Sequence, residues 1–372
     1  MTSADWAGDA LKAVIGRVTV TEFEVGARFP LFADPDSGRW TTTGRGSWTG
    51  GFWAGLLWLR ARYSDAAADR AAASRCTARL APWADADTAT RGLILWYGTA
   101  LASHDAQATA LRERSARTCL DAMDPELGLV PWGSALGGPR LLARADGVPG
   151  MVPLLAGAGP EGAAAAGAHL HRHLELCLGD GSEHRPWTQP AWCYDAGSGW
   201  QPCEDPPRGW SRGRAWLLLA VADALHLPTL PGPRAAPLSG AAERLLALGA
   251  VLDGPLVPHA LDEPLVPHAD PSRPDGPLDT SAAAITAVAL LKLARLPGPR
   301  ATQYADRAVE ILRRLVGTHL SGPRAHRPAG MLLDGCYDAG RGTAVRHELV
   351  WGDFFLALGL AALTGSVDIT DV

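Results

Sequence analysis

Apolar residues recur at helical spacing along nearly the whole chain, and this periodicity constrains the fold more than any other feature. Alternating runs typical of strands are scarce, and glycine and proline concentrate between the periodic segments, where they favour helix ends and loops. The spacing predicts helices at residues 4–20, 50–64, 67–81, 90–103, 107–123, 150–158, 160–177, 211–226, 239–251, 279–295, 301–317 and 352–364. Less than about a tenth of the chain is expected in strands. Twelve helices suit six hairpins in a ring, although a two-layer helical solenoid would show the same periodicity.

Charge and hydropathy exclude two classes of partner. The formal net charge is −5 and no basic run is present, which argues against binding to a phosphate backbone. No stretch reaches the roughly 20 apolar residues of a membrane span. The amino-terminal segment is amphipathic and lacks the pattern of a signal peptide. We therefore expect a cytoplasmic protein without nucleic-acid or membrane partners, and the sequence does not indicate its oligomeric state.

Six cysteines are scattered along the chain without any CxxC pair. Zinc frameworks need close pairs, and disulfide scaffolds are typical of short secreted chains, so neither is expected. Reduced thiols and a protein without a metal or an organic cofactor are the prediction.

Two further motifs have ordinary structural interpretations. Gly157–Gly162 matches GxGxxG, but no buried strand precedes it, so a connection between helices is favoured over a nucleotide site. His169, His171 and His173 have a spacing that can hold zinc, yet the glutamate of HExxH is missing. A cluster of surface histidines is the favoured interpretation.

Tryptophan carries the strongest functional signal. Many of the fourteen tryptophans lie in glycine- and proline-rich connections, grouped within residues 40–58 and 187–216. Flat aromatic side chains with a donor group suit stacking against sugars or other flat ligands, although some must simply pack loops onto the core. Arg212 and His184 lie within or beside the second group, and an arginine fork suits a carboxylate. The pattern predicts a polar, aromatic-lined pocket for a small acidic or sugar-like molecule.

The arrangement of these residues resembles the unsaturated glucuronyl hydrolases, family 88 of the glycoside hydrolases. The blocks that carry the resemblance, in the order of the family, are SWTGGFWAGLLW at 47–58, DGSEH at 180–184, GWSRGRAW at 209–216, VPHAD at 266–270, DTSAAAI at 279–285 and WGDFF at 351–355. They span nearly the whole chain. The resemblance implies an all-α fold, an (α/α)6 barrel of six helical hairpins, formed by residues 1–372 as a single domain.

The resemblance also implies an unusual hydrolysis. The substrate of this family is a 4,5-unsaturated uronic acid, whose C4=C5 double bond is conjugated to the ring oxygen. An aspartic acid protonates C4, water adds at C5, and the resulting hemiketal collapses with loss of the aglycone. A carboxyl group in apolar surroundings suits this task because it holds a proton before the reaction. No metal or organic cofactor takes part.

Several site residues follow from the resemblance. The family's acid corresponds to Asp146, within RADGVPGMVPLL. The substrate-binding positions correspond to Trp48, Trp132, His184, Arg212, Trp216 and Trp351. Thr90 stands where the family has a second aspartate, and Ala269 stands where it has a tryptophan.

Three functions remain compatible with the sequence. The chain is either a hydrolase of unsaturated uronides, or a barrel recruited to another reaction in natural-product biosynthesis, or a non-catalytic carbohydrate-binding barrel. A hydrolase needs a carboxyl group facing the tryptophans, whereas a pure binding protein does not.

Overall fold

The structure is a computed structural model that describes residues 5–179, 186–228, 235–253, 265–322 and 327–372. These residues form twelve α-helices, all near the predicted positions. They are α1 (Asp5–Val25), α2 (Gly50–Ser64), α3 (Ala67–Ala78), α4 (Tyr97–Thr99), α5 (Ala106–Asp121), α6 (Met151–Ala156), α7 (Gly159–Leu178), α8 (Ser211–His226), α9 (Ala235–Leu248), α10 (Thr280–Leu293), α11 (Ala301–Arg314) and α12 (Val350–Leu363). The chain is mostly helical, as the periodicity predicts.

The greatest departure from the prediction concerns residues 90–103. Instead of one helix, this stretch forms a π-helical turn, Gly92–Trp96, which continues as the short helix α4. Close packing accounts for the irregular turn, because its backbone touches two neighbouring helices. A Cβ atom on Gly51 of α2 would lie 2.3 Å from the Leu93 carbonyl oxygen. A Cβ atom on Gly92 would lie 2.2 Å from the amide nitrogen of Met151 in α6. Glycine is therefore required at both contacts.

Alternate helices differ in burial, which divides the helices into two layers. In α10 all residues except Thr286 are buried, and α2, α8 and α12 are buried over most of their lengths. A helix that is apolar on all sides belongs in a core. Helix α11 instead buries one face and exposes charged residues on the other. The buried helices pack against one another in the pairs α2–α12, α12–α10 and α10–α8, while α3, α9 and α11 cover α2, α8 and α10.

Two small antiparallel sheets lie in the connections. The strands are β1 (Phe29–Ala33), β2 (Trp40–Thr43), β3 (Leu142–Arg144), β4 (Ala191–Asp195), β5 (Gly199–Pro202), β6 (Gly335–Asp338) and β7 (Thr343–Leu349). One sheet has the order β2-β1-β7-β6 and the other has the order β3-β4-β5. Strand β7 leads directly into α12, and β3 leads into the turn before α6. The sheets therefore fix the loops at the amino ends of two buried helices.

The structure confirms the interpretation of the GxGxxG sequence but not that of the histidine cluster. Gly157 ends α6 and Gly162 lies in α7, so the GxGxxG sequence connects two helices, as predicted. The surface interpretation of the histidines is wrong for two of them: His171 is exposed, but His169 and His173 are buried. They lie on the apolar face of α7, which the i, i+4 spacing turns towards the core.

Candidate active site

Four of the sequence-predicted side chains lie at or just before the amino ends of buried helices. Trp48 is in the turn before α2, Asp146 is in the turn before α6, and Arg212 and Trp351 are the second residues of α8 and α12. The short helical segment Ala145–Gly147 packs against both α8 and the π-helical turn Gly92–Trp96. The π-helical turn also packs against the segment Ser47–Thr49, which contains Trp48. These segments therefore meet at one end of the inner layer.

Arg212 is held by protein groups on three sides. Its Nη1 donates to Asp279 Oδ2 at 2.6 Å and to the carbonyl oxygen of Cys336 at 2.5 Å. Its Nη2 donates to the carbonyl oxygen of Tyr337 at 2.8 Å. The side chain is only 5% exposed, and Asp279 is fully buried at the start of α10. Arg212 thus joins α8, α10 and β6, and both hydrogens of Nη1 are used within the protein.

Two tryptophans enclose the Arg212 guanidinium. Its Cζ lies 4.8 Å from the ring centre of Trp210 and 5.4 Å from that of Trp351. Trp351 also packs against Trp48, with 4.8 Å between the ring centres. Trp351 is fully buried, whereas Trp48 is half-buried. Of these rings, Trp48 offers surface to a ligand, and Trp351 supports it from below.

Trp216 lies in the aromatic core beneath this end. Its ring stacks on Phe52 at 6.2 Å with an interplanar angle of 13°, and Phe355 packs against it at 5.5 Å. The side chain has no exposed surface. Trp216 therefore packs α8 against α2 and α12, and it presents no surface to a ligand in this structure.

Asp146 occupies a short helical turn, Ala145–Gly147, that is fixed on both sides. The Ala145 amide donates to the carbonyl oxygen of Pro190 at 2.9 Å, which ties the turn to the segment before β4. The Asp146 side chain is 16% exposed. Its Oδ1 atom is buried and has no hydrogen-bond partner among the described residues. Buried polar atoms normally have a hydrogen-bond partner, so this oxygen lacks one that the described residues do not supply.

His169 holds the other side of the same turn. Its Nδ1 accepts a hydrogen bond from the Val130 amide at 3.1 Å, and its Nε2 lies 3.1 Å from the Gly147 carbonyl oxygen. Since Nδ1 accepts, Nε2 must carry the hydrogen, which fixes one neutral tautomer. Burial lowers the pKa of His169 well below its ordinary value, in agreement with a neutral ring.

Trp132 and Arg144 flank the Asp146 carboxyl group. The Arg144 Cζ lies 5.0 Å from the ring centre of Trp132, and Arg144 Nη2 lies 3.5 Å from Asp146 Oδ2. Trp132 is half-buried, and its Nε1 donates to the carbonyl oxygen of Gly137 at 3.1 Å. An aromatic face, a cation and a carboxyl group with a free oxygen thus lie side by side.

Thr90 lies next to the Asp146 turn. A Cβ atom on Gly147 would lie 3.1 Å from the Cβ of Ala89, the neighbour of Thr90. The Thr90 hydroxyl is buried and is 2.9 Å from the Thr88 hydroxyl. The position to which the resemblance assigns a second aspartate therefore carries a neutral pair of hydroxyls in this chain.

His184 lies outside the described residues. Within the ranges that the structure describes, no group of three or more histidine, cysteine, aspartate or glutamate side chains has the geometry of a metal site. No helix among the described residues is long and apolar enough to cross a membrane.

Sequence reasoning missed Arg144 and Tyr337, and it placed His169 in a cluster of surface histidines. Tyr337 packs against both Trp48 and Trp351, and its hydroxyl oxygen lies 3.4 Å from the indole nitrogen of Trp48. Arg144 precedes Asp146 by two residues at the end of a strand, and this spacing could have indicated that the two side chains lie close together. The i, i+4 spacing of His169 and His173 among apolar residues of α7 could have indicated that both face the core.

Known structures with the same fold identify the architecture. An unsaturated glucuronyl hydrolase from Bacillus sp. GL1, described as responsible for degradation of glycosaminoglycan, superposes with a TM-score of 0.79 at 20% identity, covering 96% of each chain. The fold is that of the unsaturated glucuronyl hydrolases. One specific for heparin has a TM-score of 0.79 at 19% identity and covers 98% of this chain and 99% of its own. The enzyme from Streptococcus agalactiae has a TM-score of 0.78 at 17% identity and covers 100% of this chain and 94% of its own.

A variant of the Streptococcus agalactiae unsaturated glucuronyl hydrolase has been solved in complex with dGlcA-GalNAc6S. It superposes with a TM-score of 0.70 at 16% identity, covering 99% of this chain and 94% of its own. No protein-family model matches the chain. No curated protein matches it by sequence. At these identities the likeness establishes the fold, whereas the chemistry rests on the residues of the site.

Proposed function

We propose that the chain hydrolyses 4,5-unsaturated uronides by hydrating their C4=C5 double bond. The observation that carries the proposal is the Asp146 carboxyl group, which has a free, buried Oδ1 beside Trp132 and Arg144. It lies at the amino ends of the buried helices, in a fold shared with hydrolases of such sugars.

In this mechanism Asp146 is the general acid and base. As a carboxylic acid it protonates C4 of the sugar, and the positive charge that develops at C5 is shared with the ring oxygen. A water molecule that adds to C5 returns a proton to the carboxylate. The hemiketal then opens to a ketone at C5, and the aglycone is lost. One carboxyl group suffices for both proton transfers when water approaches on the same side of the ring.

Trp132 and Trp48 are the proposed aromatic walls for the sugar. Both are half-buried, so each combines a fixed ring with an accessible surface. Arg212, Trp216 and Trp351 have supporting roles in this proposal, because their side chains are almost fully buried. They hold the amino ends of α8 and α12 beneath the site.

We propose that the helices close into an (α/α)6 barrel formed by a single domain. Three further contacts connect the buried helices: α8 packs against α6, α6 packs against the turn Gly92–Trp96, and that turn packs against α2. The backbone contacts of Gly51 and Gly92 support the same arrangement. A single cooperative unfolding transition tests the proposal of one domain.

Thr90 supports a second candidate, a barrel recruited to a different reaction. A neutral hydroxyl pair stands beside the Asp146 turn, in the position that the resemblance assigns to a carboxyl group. Such a protein would bind an acidic, flat ligand without hydrating an unsaturated uronide.

The experiment measures two signals during the reaction of one unsaturated disaccharide, the loss of the double bond and the release of the aglycone. The double bond absorbs in the ultraviolet because it is conjugated to the carboxylate, and the released aglycone is counted by its reducing end. Hydration predicts that both signals change in equal amounts. Direct cleavage of the glycosidic bond would release the aglycone and leave the absorbance intact. Absence of both changes would support the recruited barrel.

A further inference from the structure

Arg144 is a partly exposed cation beside Asp146 and Trp132. It ends strand β3, where it pairs in register with Ala191, and its side chain is 23% exposed. The guanidinium lies over the face of Trp132, with Cζ 5.0 Å from the ring centre. Strand pairing and ring contact thus fix both ends of the side chain beside Asp146.

The hydrogen bonds of Arg144 are largely unused. A guanidinium has five N–H donors. Among the described residues Arg144 makes one polar contact, from Nη2 to Asp146 Oδ2 at 3.5 Å, which is long for a charged hydrogen bond. Its Nε is buried without a partner. Arg212 differs, because three short bonds to Asp279, Cys336 and Tyr337 already occupy its guanidinium. Of the two arginines, Arg144 has the donors for a further carboxylate.

We propose that Arg144 binds the carboxylate of the substrate uronic acid and exchanges its contact with Asp146 for that ligand. The inference rests on the proposed function for the identity of the sugar. A guanidinium presents two parallel N–H groups that match the two oxygens of a carboxylate. The contact with the Trp132 face holds the planar guanidinium in one orientation, so little conformational freedom is lost when the ligand binds.

The exchange connects recognition with catalysis. In the free protein Asp146 and Arg144 are the two partners of a weak ion pair. When the carboxylate of the sugar takes the guanidinium, Asp146 loses its charge partner and faces C4, and the carboxylic acid form that protonates C4 takes its proton from water. A sugar without this negative charge leaves the pair in place. Arg144 is therefore a specificity-determining residue that selects uronic acids over neutral sugars.

The experiment compares the free acid with the methyl ester of one unsaturated uronide. The variants are Arg144→Gln, Arg144→Lys and the matched control Arg140→Gln, whose arginine is exposed and pairs with Asp87. We expect the wild type to prefer the acid in kcat/KM by about ten- to a hundredfold. Arg144→Gln loses this preference, Arg144→Lys recovers part of it, and Arg140→Gln keeps it. An acid preference that survives in Arg144→Gln would overturn the inference.

Binding separates this inference from the proposed function. If the wild type turns over neither compound, the proposed function fails, and calorimetry with both compounds still tests Arg144. Weaker binding of the acid alone in Arg144→Gln supports the inference. Equal binding of the acid by wild type and Arg144→Gln, or no binding by the wild type, overturns it.

Discussion

The imidazole of His169 bridges the Val130 amide and the Gly147 carbonyl oxygen, each at 3.1 Å, and so fixes the residue that follows Asp146. Both nitrogens of one buried ring are thereby used to hold the turn that carries the candidate acid. His169 is a positioning residue, since it reaches the chemistry only through the backbone.

Replacement of His169 tests this role. We expect His169→Phe to lower kcat by about tenfold or more, because a displaced acid loses its alignment, while KM changes little. Removing the ring nitrogens also leaves the Val130 amide without a partner, which costs about 1–3 kcal/mol of stability. Kinetics and thermal unfolding measure the two effects. The matched control is His171→Phe on the exposed face of α7, and equal losses of kcat in both variants would contradict the role.

The buried histidines also predict how stability depends on pH. Burial lowers the pKa of His173 to about 4 and that of His169 well below its ordinary value. Between the unfolded pKa, about 6.5, and the folded value, the unfolded chain binds more protons, so stability falls as the pH falls. Each buried histidine costs about 1.4 kcal/mol per pH unit in this window. Denaturant unfolding at pH 7, 6 and 5 measures the slope.

The variant for this prediction is His173→Leu. It removes one titrating group and should halve the pH slope between pH 6 and 5 that the two histidines produce. The expected result holds even if the variant is less stable at pH 7, because only the slope is compared. An unchanged slope would mean that His173 has the same pKa in the folded and the unfolded protein, so that burial does not lower it.

The fold was predictable from the sequence to a large extent, whereas the contacts of the site were not. Helical periodicity reports which residues face the core, and α8 begins at the predicted residue, Ser211. Periodicity does not report backbone-to-backbone contacts, which is why the π-helical turn at Gly92–Trp96 was predicted as part of a regular helix.

Site residues were harder to predict because their roles depend on partners distant in the chain. The resemblance placed Arg212 in the substrate pocket, but Asp279, 67 residues away, occupies its guanidinium. Trp216 was placed on the same grounds, and its ring is buried against Phe52. The carboxyl group of Asp146 was expected in apolar surroundings, whereas Arg144 lies 3.5 Å from it. These partners come from other segments or from side-chain directions that a pattern of residue types does not specify.

Arg212 provides a prediction for stability. We expect Arg212→Met to destabilise the protein by about 3–5 kcal/mol, since it leaves the fully buried Asp279 carboxylate without its charge partner. Combining it with Asp279→Leu should recover part of the loss. Denaturant unfolding measures both, with Arg208→Met, near the exposed Trp187, as the control. Wild-type stability in Arg212→Met would contradict the supporting role.

The aromatic walls provide a prediction for binding. We expect Trp132→Ala to raise the KM for an unsaturated uronide by about tenfold, because both the ring surface and the support of Arg144 are lost. Phe23→Ala, at a side chain that is 94% exposed on α1, serves as the control. If Trp132→Ala binds and reacts like the wild type, the sugar does not rest on this ring.

Asp146 is the centre of the account, and the most direct test is the rate at which wild type and Asp146→Asn remove the ultraviolet absorbance of an unsaturated uronide. Asparagine keeps the size of the side chain and removes the proton that must reach C4. The account predicts activity in the wild type and a loss of about 100- to 10,000-fold in Asp146→Asn, while the exposed-site control Asp85→Asn remains active. A loss below tenfold, or a wild type that leaves the absorbance unchanged, would contradict it.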